Sequence, residues 1–223
     1  VLGAGAAIAA PAPDLIKFSG ACKCGFTLDS PGGVSQSFVC WFKVSGRGEG
    51  DKPFDRIVQT PDWYFHIIAA SNAVLGTTFG YVDNKGKQGG IGDCGDIVFN
   101  SWQHLAVTFS KDDGFRVYVN GVESARRRPG TPVARGLPET LKGGLSCLGK
   151  VTPFGNRPLK GAIVGASFFD RMLSSEEIVR MATETPDGRS VERMKSEMPT
   201  AADVLPVVDL SREHYRQVVI AAG

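Results

Sequence analysis

Three histidines, His66, His104 and His214, are the side chains best suited to proton transfer near neutral pH. None stands in a pattern that marks a Ser/His/Asp or Cys/His nucleophile. The five cysteines, Cys22, Cys24, Cys40, Cys94 and Cys147, form no C-x-x-C pair, so a zinc ribbon is not indicated. Cys22-Lys23-Cys24 would put two thiols on one face of a strand, and the odd total leaves at least one thiol unpaired within a monomer. Cys40, in an apolar run, reads as a small core hydrophobe. Gly89-Gly90-Ile91-Gly92 lacks the Lys-Ser/Thr of a phosphate loop. Arg126-Arg127-Arg128, with Arg135 nearby, forms a basic cluster. It could meet a sulfated glycan, an acidic headgroup or an acidic protein, or simply be a solvated loop. Trp63-Tyr64-Phe65 could stack on a sugar at a rim, although core packing is the commoner fate of such a cluster.

These residues sit in a chain of 223 residues with 25 Lys and Arg against 23 Asp and Glu, a formal charge of +2. That balance argues against a dedicated nucleic-acid binder. No stretch reaches the roughly 18 apolar residues of a membrane span. With 28 Gly and 13 Pro the composition is turn-rich and favours an all-β chain.

The elements that must position the candidates are short apolar runs separated by Gly, Pro, Asn and Asp. They are 37–44, 56–60, 64–70, 75–82, 102–109, 115–121, 145–149 and 161–170. Leu105, Val107 and Phe109 alternate with His104, Ala106 and Thr108, and Val117 and Val119 with Arg116 and Tyr118, as in half-buried strands. Lys111-Asp112-Asp113-Gly114 is a hairpin loop whose Asp-Gly pair is expected to supply positive φ, and Asn120-Gly121 turns the chain again. Ser174-Ser175-Glu176-Glu177 is a capping box opening a helix with an Ile178, Met181, Ala182 stripe. A second short helical stretch is expected over 190–198.

The order SFVCWFKV, WQHLAVTFSKDDGFRVYVNG, LSCLG and LKGAIVGASFFDRMLSSEEIVRM resembles the concanavalin A-like jelly roll of the laminin-G-like and pentraxin-like type, over roughly residues 14 to 182. The resemblance implies an all-β, two-sheet antiparallel jelly-roll sandwich with a short helix after the last strand and extended terminal arms. The organisation expected is an N-terminal arm or targeting remnant at 1–13, the domain at 14–182 and a C-terminal extension at 183–223. His104 occupies the family's Trp-x-His position and is expected to pack or bond within the sheet. Glycoside hydrolases on this fold carry closely spaced acids on one strand, and no such triplet is present; Glu49 and Asp51 lie in a Gly-rich loop and Glu176-Glu177 opens the helix.

Many members hold Ca²⁺ through loop oxygens. The resemblance points here to Asp83, Asn84, Asp93 and Asp96, in what reads as one loop, YVDNKGKQGGIGDCGD. Lys85 and Lys87 oppose a cation there, and the family's acid after the late glycine is replaced by Val164-Gly165. A solvated Asp/Gly turn is the alternative. No cofactor is required by this reading. The tail is richer in apolar residues than a free disordered tail, and Val207, Val208, Tyr215, Val218, Val219 and Ile220 are candidates to contact a partner.

The function expected is a non-catalytic binding or interaction module acting through protein or glycan recognition within a larger assembly. The alternatives are an accessory structural subunit of a membrane-associated or organellar complex anchored by its arms, and a polysaccharide-active enzyme. Partners are other protein subunits and glycans, with no nucleic acid and with membrane contact only through a partner or the N-terminal arm. A processed targeting segment would be consistent with secretion or an organellar lumen.

Overall fold

A computed structural model of the chain describes residues 15–19, 26–46, 54–68, 75–83, 85–86, 88–123, 137–149 and 159–183. Among the described residues, twelve strands and one helix follow in order. They are β1 (Leu15–Ser19), β2 (Phe26–Ser30), β3 (Ser35–Gly46), β4 (Phe54–Gln59), β5 (Trp63–Ile68) and β6 (Leu75–Val82), then β7 (Gln88–Ile97), β8 (Gln103–Ser110), β9 (Gly114–Val119), β10 (Val122–Glu123), β11 (Gly144–Leu148), β12 (Lys160–Phe169) and α1 (Ser175–Thr183).

Two six-stranded antiparallel sheets form, β1-β12-β3-β8-β9-β10 and β2-β11-β4-β5-β6-β7. This is the expected all-β sandwich, and the first sheet is called A and the second B. β3 lies between β12 and β8, so both of its edges are paired, and packed clusters cover both of its faces. Phe38, Cys40, Phe42 and Val44 point between the sheets, Val39 and Trp41 point outward, and all six are buried. The core is dominated by aromatic rings. Trp63 packs against Phe38 and Phe79 with centroids 5.8 Å away in each case, and Phe115 lies 5.0 Å from Phe79 and 4.7 Å from Phe109. Trp63 Nε1 donates to Gln36 Oε1 at 2.9 Å, so the indole is anchored across the sandwich. Burial in this core pushes the Cys40 thiol well above the usual range.

The hairpin and cap signals are realised. Val119 pairs with Val122 across Asn120-Gly121, whose φ values of 54° and 79° suit a type I′ turn. In the 111–114 loop only Gly114 has positive φ, 73°, because Ser110 pairs directly with Gly114 and leaves three residues in the loop. At α1, Glu177 N donates to Ser174 Oγ at 3.2 Å while Ser174 N donates to Glu177 Oε2 at 2.8 Å. Arg171 adds a bidentate bond to Glu177 at 2.9 and 2.6 Å and holds its carboxyl down to about 2. Ser37 Oγ donates to Arg171 O and accepts from Leu173 N, tying the segment before α1 to β3. Ile178 is buried on sheet A beside Val39, Ala106 and Tyr118, and Ala182 of the same helix is also buried.

One expectation is corrected. The stretch after Asp83 is not a single loop, because Gln88–Ile97 is a strand paired with β6. Its glycines hide it from propensity, since a strand weak in side chains still contributes its backbone bonds to the edge of a sheet. The arms at 1–13 and 184–223, Cys22 and Cys24, the 190–198 stretch and His214 lie outside the described residues.

Candidate functional site

Three connections meet at one end of sheet B: the β4–β5 turn, the β6–β7 turn and the segment leading into β11. Together they line a cavity of about 310 Å³, with Asp62, Val82, Asp83, Glu139, Thr140 and Lys142 in its wall. The first turn is tight because Thr60 Oγ1 accepts from the N–H groups of Asp62 and Trp63 at 3.1 and 2.9 Å. Asp62, only 4% exposed, is thereby aimed along the rim. Its two carboxylate oxygens accept from Lys142 N at 3.0 Å and Gly143 N at 3.1 Å. Its carbonyl accepts from Val82 N at 2.7 Å. One buried aspartate thus fastens all three connections. Gly143 is needed here, since its φ is 67° and a Cβ would come within 2.4 Å of Gly32 N.

The anticipated oxygen ligands fall along this hairpin rather than at one point. Asp83 lies at the cavity, where its Oδ1 accepts from Lys85 N at 2.9 Å and its carbonyl from Gly86 N at 3.0 Å. Asp93 is opposite Thr78 and Asp96 opposite Gly76. Those positions are five and seven residues along β6 from Asp83, or about 16 and 23 Å at strand rise. The set expected to share one Ca²⁺ is therefore divided by the register. Asn84 lies outside the described residues. Among the described residues, no group of three or more His, Cys, Asp and Glu is arranged to hold a metal ion. Arg126, Arg127, Arg128 and Arg135, and the tail residues Val207, Val208, Tyr215, Val218, Val219 and Ile220, also lie outside the described residues.

A second constellation, not anticipated as a site, occupies the outer face of sheet B. Arg56 is opposite His66 and Gln59 opposite Tyr64, and these four side chains project from the same face. Arg56 Nη1 donates to Gln59 Oε1 at 2.6 Å, and its guanidinium lies 4.8 Å from the Tyr64 ring centre. The Tyr64 and His66 rings stack at 4.4 Å. Tyr64 can lie this way because residue 80 is glycine; a Cβ there would come within 2.1 Å of the Tyr64 ring. Burial lowers Arg56 to about 10, and burial together with the Arg56 charge lowers His66 to about 3. His66 is thus neutral at physiological pH. The sequence showed only the strand RIVQT; the bulge between Arg56 and Val58 breaks the alternation that would have exposed the outward set. Trp63 and Phe65, by contrast, are in the core as expected.

His104 packs within sheet A, as expected. It is 1% exposed, edge-on to Trp41 at 5.3 Å, and its backbone N–H donates to Asn120 Oδ1 at 2.9 Å. Burial lowers it to about 4.

Among curated proteins, no sequence matches the chain. Among solved structures, the chain is similar to a native heptameric SAP-like pentraxin from Limulus polyphemus, with 17% identity, 75% of this chain and 81% of that chain covered, and a TM-score of 0.54. Weaker likenesses include the botulinum neurotoxin serotype D binding domain, with 15% identity, coverage of 66% and 35%, and a TM-score of 0.46. Another is the binding domain of botulinum neurotoxin DC in complex with rat synaptotagmin II, with 14% identity, coverage of 66% and 35%, and a TM-score of 0.41. At these identities the likeness concerns the fold. Residues 25–179 match a laminin G family model described as the concanavalin A-like lectin/glucanases superfamily, and the chain belongs to that superfamily.

Proposed function

We propose that the protein is a non-catalytic binding module that recognises a glycan or a protein through the surfaces of its sandwich, as part of a larger assembly. The observation that carries this reading is the state of Asp62. It is the most buried acid of the rim cavity, and both of its oxygens are committed to backbone N–H groups, so it shapes a concavity rather than serving a reacting atom. His104 is likewise enclosed by packing, and Glu177 is committed to the helix cap and Arg171.

The assembly role rests on the apolar residues of the C-terminal extension, with Val218, Val219 and Ile220 proposed as contacts to another protein subunit. Glycan-array binding of the full chain, with and without a chelator, tests the recognition reading. Binding to a defined glycan class, or capture of a subunit from the native assembly that is lost on Ile220→Asp, supports it. Turnover of a polysaccharide substrate would overturn it, as would finding neither interaction.

A further inference from the structure

Trp41 and Trp102 are each 6% exposed, although their cluster lies on the outer face of sheet A. A ring on the outside of a sheet keeps its far side in water unless a second layer lies on it. α1 supplies that layer for Val39, Ala106 and Tyr118, but no α1 side chain belongs to the cluster of Trp41, Trp102, Ala162 and Val164. Lys43 Nζ lies 5.4 Å from the Trp102 ring centre and His104 meets Trp41 edge-on, so these two neighbours flank the rings from within the sheet. The course of α1 shows where a cover can come from. The segment entering the helix is bonded to Ser37, near the start of β3. The helix ends beside Gly121, where a Cβ would lie 3.1 Å from Ala182 Cβ. Asn120, next to Gly121, is bonded to His104, and His104 is the register partner of Trp41. The chain therefore leaves α1 in the row of Trp41, two strand spacings or about 10 Å away.

From this geometry we propose that residues 190–198 form a short helix that docks Val191, Met194 and Met198 on the Trp41 and Trp102 cluster, extending the layer that α1 begins. The three side chains recur at i, i+3 and i+7 and so share one helix face, while Glu192, Arg193, Lys195 and Glu197 take the others. Methionine suits an irregular surface of indole rings, where its sulfur gains from ring contact. Pro186-Asp187-Gly188 favours a turn after α1, and residues 184–189 can reach up to about 20 Å, ample for the distance. The N-terminal arm is the poorer occupant. Val1, Leu2 and Ile8 are its only large aliphatic side chains, and it joins sheet A at the edge strand β1. Residues 199–223 remain for the subunit contact proposed above.

NMR of the full chain tests the docking together with acrylamide quenching, because the three indole N–H groups report Trp41, Trp63 and Trp102 separately. Met194→Lys combined with Met198→Lys should shift the Trp41 and Trp102 resonances, leave that of Trp63 in place and lower Tm. The quenching constant should rise about twofold, since two of the three indoles lose their cover. Met194→Leu with Met198→Leu keeps the apolar contact and should behave as the parent protein. Should the lysine variant fail to fold, Val191→Lys alone serves, with smaller shifts of the same two resonances. Unmoved Trp41 and Trp102 resonances in a folded lysine variant overturn the docking. So do shifts produced by Ile8→Lys in place of the lysine variant, which assign the cover to the N-terminal arm. Shifts that appear in the parent protein on dilution overturn it too, by assigning the cover to a second copy. Ile220→Asp should leave both indoles unmoved, so loss of a partner subunit in that variant is read apart from loss of this docking.

Discussion

The outer faces of the two sheets each bury a histidine, and they do so by opposite means. On sheet A, His104 lies edge-on to Trp41, which packs with Trp102, Ala162 and Val164, while Val39, Ala106 and Tyr118 of the same sheet pack with Ile178 of α1. On sheet B, His66 lies against Tyr64 with the Arg56 charge beside it. The first environment is a packing surface, where each apolar atom removed from water contributes directly to stability. The second keeps a cation and several polar atoms out of water at a solvation cost. A fold that needed only to be stable would treat both faces in the first way. The contrast separates a face that packs apolar side chains from a face that buries a cation among polar groups.

Substitution of the aromatic on each face breaks the contrast most directly. Trp41 is 6% exposed, and Trp41→Ala is expected to cost about 3–5 kcal/mol of unfolding free energy. Tyr64 is only half-buried, and Tyr64→Ala is expected to cost about 1 kcal/mol, as for side chains away from a packed core. Urea denaturation measures both. Equal losses would mean that face B is as structural as face A.

Acid should act on both faces, with a smaller effect from each histidine. Both histidines have folded-state pKa values below their ordinary value, about 4 for His104 and about 3 for His66. Above about pH 6.5 they are neutral in both states and the stability is complete. As pH falls through 6.5 the unfolded chain takes up protons that the folded chain refuses, so stability declines until the folded pKa is reached. For His104 the loss approaches about 3 kcal/mol near pH 4. The denaturation midpoint should therefore drop between pH 7 and pH 4.5, and His104→Gln should flatten that drop. A midpoint unchanged over this range would show that neither ring is held away from protons.

The sequence disclosed the outer face of sheet A far better than that of sheet B. His104 and Ala106 sit in a strand with clear alternation, Val39 and Trp41 in a continuous apolar run, and Ser174 and Glu177 announce the helix that covers part of this face. Such features follow from local rules of period and capping. Arg56 was hidden by its bulge, and its lack of a carboxylate partner among the described residues is a property of cross-strand neighbours that no spacing displays. Asp62 stands in a Thr-Pro-Asp turn that reads as punctuation, while its acceptors' donors, Lys142 and Gly143, are eighty residues away. The Asp83 set failed differently. Glycine-rich text resembles a loop whether it turns or extends along a sheet edge, so residues close in sequence were assigned to one place.

The smallest effect is the most specific to the contrast. The positive charge of Arg56 helps to hold the His66 pKa down, whereas the lowering of His104 arises from burial. Arg56→Met removes the charge and leaves a side chain of similar reach, so His66 should titrate at a higher pH than in the parent protein while His104 does not move. The two imidazole resonances, followed by NMR from pH 7 downwards, report each face separately. A shift shared by both histidines would reflect general loosening of the sandwich. A shift in neither would mean that Arg56 is screened from His66 by solvent, and face B would then lack the dry, charged character that distinguishes it from face A.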